Sequence, residues 1–141
     1  MPSSGRVPSW LVIALALGAT GCGKVAEIKA CRGLSEDVNP ALDEIEALSK
    51  SQAPDRELRM AKRYADLSKR LASRASGGSA LAGAVREYVT LLAATDSALR
   101  AHAEATQTNN TARMAEMRRE LERLVKRERA AVARISVECK A

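Results

Sequence analysis

The third quarter of the chain carries Leu81, Val85, Tyr88, Leu92, Thr95, Leu99 and His102, an unbroken alternation of spacings of four and three. Such a pattern returns to one side of a helix every two turns. It does not suit a β-strand, whose side chains change face at every residue. It therefore predicts a helix over about Ser79 to Thr106 with an apolar seam that other helices must cover. Three further stretches show spacings near three and four. The first, about Lys24 to Leu48, aligns Ile28, Cys31, Val38, Leu42, Ile45 and Leu48; the second, about Pro54 to Ala75, aligns Met60, Tyr64, Leu67 and Leu71. The fourth, about Thr111 to Glu138, aligns Met114, Met117, Leu121, Val125, Val132, Ile135 and Cys139. No run of alternating β-branched residues is long enough for a strand, so the expected class is all-α.

The segments are separated by "SKSQAP", "SGGS" and "TQTNNT". Pro54 is tolerated at a helix start, and Asp55 and Glu57 suit the positive end of the dipole that follows. Gly77 and Gly78 supply a stop, and Asn109-Asn110-Thr111, although it matches N-x-T, reads as a turn plus an N-cap. Gly33 and the pair Asn39-Pro40 interrupt the first segment, and a kink or a short break is expected there.

With 141 residues the chain has room for one domain. Phe is absent and the only Trp, Trp10, precedes the helical segments, leaving a core of Leu, Val, Ile, Met and Ala. That core lets helices approach closely but buries little apolar area per residue, so a covalent staple would matter.

Ahead of the helices, Arg6 is followed by the apolar run Trp10 to Leu17 and the small residues Gly18 to Gly21, the layout of a secretory signal peptide. The run is shorter than the roughly 20 apolar residues of a spanning helix. Ala19-Thr20-Gly21-Cys22 resembles the lipobox of bacterial lipoproteins, with Ala19 where Leu is more usual. The resemblance covers only Met1 to Gly23. It implies a signal peptide over 1–21, cleavage before Cys22, acyl chains on Cys22, and a mature domain over 22–141. Two or more chains make a lasting membrane tether. Gly23 is not the Asp that marks inner-membrane retention in enteric-type lipoproteins, so the resemblance favours the outer membrane. An ordinary signal peptide with a chance cysteine is the alternative reading.

If Cys22 is lipidated, as the resemblance implies, Cys31 and Cys139 are left as a pair in an oxidising compartment. Two buried thiols are the alternative. Disulfide partners need α-carbons within about 7 Å, and an up-down-up-down four-helix bundle returns its end to where it began, whereas three helices would not. The expected fold is therefore that bundle, closed by a disulfide between its ends.

The excess of cations falls on the second and fourth segments, and part of it should face Asp37, Asp43, Glu44 and Glu46 of the acidic first segment. Within the fourth, Glu116–Arg119, Glu120–Arg123 and Glu122–Lys126 are spaced to pair. Arg119, Arg123, Lys126, Arg127 and Arg134 could align along one face as an anion-binding stripe for lipid headgroups, lipopolysaccharide phosphates or acidic proteins. Nucleic acid is a poor match without stacking aromatics. His102 with Met114 or Met117 could in principle ligate a haem, but an Ala-rich seam without Phe leaves little room for a porphyrin. With one His, no nucleophile elbow and no phosphate loop, neither an enzyme nor a metal or cofactor site is expected. These features point to a lipid-anchored envelope protein acting as a binding or structural module. The alternative is a small periplasmic chaperone-like or adaptor protein whose basic helices bind anionic envelope components or clients.

Overall fold

A computed structural model describes residues 22–140, with side chains from Val25 onward. The described chain is four helices without a strand: α1 Cys22–Ser49, α2 Arg56–Ala72, α3 Ala80–Gln107 and α4 Thr111–Lys140. The expected signal peptide over 1–21 and the side chain of Cys22 lie outside the described residues.

Local chemistry accounts for the boundaries. Ser79 caps α3 by accepting from the Ala82 amide at 3.0 Å, and Asn110 caps α4 by accepting from the Arg113 amide at 3.0 Å. Asn109, at φ 54°, and Gly77, at φ 98°, take the left-handed backbone that turns the chain before α4 and α3. α2 is shorter than its sequence pattern at both ends, with Asp55 at its N-cap and Ala72 as its last helical residue. Beyond it, the Arg86 guanidinium donates to the carbonyl oxygens of Ala75 and Gly77 at 2.6 and 2.8 Å.

α3 is the central helix, packed against both α2 and α4. Its expected seam is joined by a second one, Ala84, Leu91, Ala98 and Ala105, all buried. Two adjacent seven-residue repeats widen the apolar face enough for two neighbours, and the alanines allow them to come close. α1 packs along α2 and meets α4 only narrowly. One core results, drawing on Leu34 and Val38 of α1, Leu67 and Leu71 of α2, Tyr88 and Leu92 of α3, and Leu124 and Ile135 of α4. Cys31 and Cys139 form a disulfide, with α-carbons 5.9 Å apart across 108 residues of sequence.

Three expectations need correction. The short break expected at Asn39-Pro40 does not occur: α1 runs through the pair as one helix with Pro40 inside it. Pro40 has no N–H to give, but the residue four places back, Glu36, is exposed, so water can take its carbonyl. Gly33 does not interrupt α1; it is buried under Arg74, whose Nε donates to Asp37 Oδ2 at 2.6 Å. A Cβ at this position would stand 2.7 Å from the Arg74 Cζ, so the missing side chain is what admits the guanidinium. Finally, the seam of α4 passes through Leu124, 1% exposed, and leaves Val125 40% exposed.

Candidate functional site

The basic stripe of α4 is partly neutralised. Arg123 is held by Glu120 at 2.9 Å from Nε, and this hydrogen bond is the main reason that the Glu120 carboxyl lies below its ordinary range. Arg134 reaches Glu87 on α3 at 2.9 Å. Arg119, Lys126 and Arg127 are exposed, and none is within ion-pair distance of a carboxylate among the described residues. The expected Glu116–Arg119 and Glu122–Lys126 pairs do not form; Glu116 takes Arg113 instead at 2.9 Å. The acidic face of α1, by contrast, meets the second segment as expected, through Glu44 with Arg63 of α2 at 2.8 Å and Asp37 with Arg74, in the turn after α2, at 2.6 Å.

A shallow groove of about 600 Å³ lies between α3 and α4. Its floor is Ala94, Ser97, Ala98 and Ala101, where small side chains leave space, closed on one side by Met117. Arg119 stands on the rim beside the Arg113–Glu116 and Arg123–Glu120 pairs, so it contributes the unpaired positive charge there. The groove can accept an apolar or anionic group.

Sequence reading missed the polar centre of the bundle. Met117, Leu121, Leu124, Glu128, Ala131 and Ile135 continue the four-three alternation along α4, placing a carboxyl on its apolar seam. The expected stripe stepped from Val125 to Val132 and passed over it, although the register from Met117 would have found it. Glu128 is partly buried, and its Oε1 lies 2.5 Å from Thr95 Oγ1 of α3. Tyr88 of α3, fully buried, and Tyr64 of α2 complete the cluster. Burial raises the Glu128 pKa, a shift that the Thr95 hydroxyl opposes. Both phenols are pushed up as well, chiefly by burial, with the Glu128 charge adding to it.

His102 is engaged across α2 and α3, its Nδ1 2.6 Å from Glu57 Oε2. Met117 is buried and Met114 half-buried on α4. Among the described residues no cluster of three or more His, Cys, Asp or Glu side chains could hold a metal ion. Also among these residues, no helix is long and apolar enough to cross a membrane. No family model, curated protein or solved structure matches the chain.

Proposed function

We propose that this protein is a lipid-anchored module of the bacterial cell envelope, tethered through acyl chains on Cys22 and holding a partner or a structural position with its helical bundle. The observation that carries the reading is the Cys31–Cys139 bridge, which uses the other two of the three cysteines and leaves Cys22 without a mate in the chain. A disulfide is at home in an exported protein, which is where the lipobox resemblance also sends this one. The outer membrane is favoured over the inner by Gly23.

The bundle in this reading is up-down-up-down. Contacts that run in opposite chain order support it. Asp37 and Glu44 of α1 meet Arg74, just after α2, and Arg63 of α2, and Glu57 and Ser68 of α2 meet His102 and Val89 of α3. Glu87 and Thr95 of α3 meet Arg134 and Glu128 of α4. With the last turn of α4 tied to Cys31, the nine residues before it extend α1 about 13 Å toward the tether. Val25, Ala26, Glu27 and Lys29 in that stretch are exposed. This overhang would act as a short stalk between bilayer and bundle.

Metabolic labelling with an alkyne analogue of palmitate tests the anchor. The wild-type chain should take the label and Cys22→Ala should lose it; equal labelling of the two would refute the tether. A second reading, a chaperone-like or adaptor protein that binds anionic envelope components, is favoured by the exposed, unpaired Arg119, Lys126 and Arg127. It requires retention on anionic vesicles that falls as salt rises.

A further inference from the structure

α4 turns a different kind of surface outward from the other helices. With about 100° between successive residues, Arg118, Arg119, Lys126 and Arg129 fall within a single arc on the side opposite the buried Leu124. The Arg134–Glu87 pair marks the flank of α4 that faces α3, and Cys139 marks the flank that faces α1, so this arc points to solvent. All four cations are exposed, and none is within ion-pair distance of a carboxylate among the described residues. The only acid on the arc is Glu122. Arg127, expected in the stripe, stands instead on the same flank as Arg134. The rest of the bundle is differently charged. α2, the other basic helix, holds Arg59, Lys62 and Arg63 against Asp55, Asp66 and Glu44, and α1 exposes Glu27, Glu36 and Asp43 among its charges. Two valines stand with the α4 cations, Val125 at the edge of the arc, 40% exposed, and Val137 on it, 63% exposed.

We propose that this face of α4 is a membrane-docking surface: the bundle lies on its side against an anionic bilayer, with Arg118, Arg119, Lys126 and Arg129 at the headgroup phosphates and the two valines toward the acyl region. Docking rests on the reading of the exposed α4 cations as an anion-binding stripe, and the partner it names is the bilayer itself. The convex side of one helix offers charges around single valines, which matches a plane of headgroups better than the buried anchor pockets of a protein interface. Lys and Arg stems lie along apolar surface while their charges reach the phosphates. From Arg118 to Val137 the face runs about 29 Å, so its cations meet several headgroups at once. The Cys31–Cys139 bridge sets the start of α1 beside the end of α4, and the segment that leads to Cys22 therefore stays next to the docked helix.

The test is amide relaxation in the full chain on lipid nanodiscs that carry a gadolinium-chelating lipid, with phosphatidylglycerol compared against phosphatidylcholine. Whatever holds the chain at the bilayer, acyl chains on Cys22 or the apolar run Trp10 to Leu17, the enhancement reports which face lies against it, so a failed anchor and a failed docking surface give different results. On phosphatidylglycerol the enhancement should concentrate on α4 from Arg118 to Val137, and it should fade on phosphatidylcholine and at high salt. Each cation near an anionic surface contributes about a fivefold factor to binding. The triple variant Arg118→Gln, Lys126→Gln, Arg129→Gln, changed only at exposed positions, should lower the ratio of docked to free bundles about a hundredfold. Enhancement spread evenly over all outer faces, or strongest on α1 or α2, would overturn the docking surface, as would equal enhancement on the two lipids or an unchanged pattern in the variant. So would polyglutamate shifting the same α4 amides while phosphatidylglycerol leaves them unmoved, the mark of an acidic protein partner.

Discussion

Leu124 and Val125 are adjacent in the chain, yet one is 1% exposed and the other 40%. Removing the Leu124 side chain would leave a cavity among α3 and α4 side chains that cannot fully collapse. Leu124→Ala should therefore lower stability by about 2–5 kcal/mol, whereas Val125→Ala should stay within about 0.5 kcal/mol. Urea denaturation of both variants at constant m-value checks the pair, and equal losses would contradict the register of α4. Gly33 shows the opposite case, a position where the absence of atoms matters. Alanine there gains helix propensity but displaces Arg74 from Asp37, so the two effects offset each other. Carboxyls also divide by surroundings. A hydrogen bond from Lys62 holds the Asp66 carboxyl below its usual range, so its small surface contribution fades as pH falls, while that of Glu128 fades as pH rises.

The helices differ in how their ends are satisfied. α3 and α4 begin on side-chain caps from Ser79 and Asn110. α2 has a cap residue, Asp55, whose side chain makes no capping hydrogen bond, and its C-terminal side leans on Arg86 of α3. Ser79→Ala removes the acceptor for the Ala82 amide and should cost about 1 kcal/mol, read as a shift in urea midpoint. An unchanged midpoint would mean that water replaces the hydroxyl without loss. Length matters too. α2 has 17 residues against 28 in α3, or about 25 Å against 42 Å, so it covers α3 only in part. α1, another 28 residues long, passes through Pro40 unbroken because a helix packed along its neighbour outweighs one missing backbone bond.

Assembly of the four helices depends on the bridge more than on the contact it links. α1 approaches α4 narrowly, and its place in the core comes mainly through α2. Closing a loop of 108 residues restricts the unfolded chain by about 4.7 kcal/mol in the chain-entropy account. For a chain of this size that corresponds to a drop in Tm on the order of 15 °C when the bridge is reduced. Calorimetry with and without reductant measures it, and an identical Tm would show that α1 stays docked without the bond.

Periodicity, turn residues and caps are local, so helix count, the Ser79 and Asn110 starts and the α3 seam could be read from the chain alone. So could the approach of Cys31 to Cys139, since it follows from the number of helices once those two cysteines are taken as mates. Packing made the remaining choices. Whether α4 buries Leu124 or Val125 depends on a rotation of the helix that its neighbours select. Whether Gly33 breaks a helix or receives an arginine depends on where Arg74 comes to lie. Glu128 was passed over because a charged residue on an apolar seam contradicts the pattern used to find seams, and only packing against α2 and α3 buries its carboxyl enough to raise its pKa.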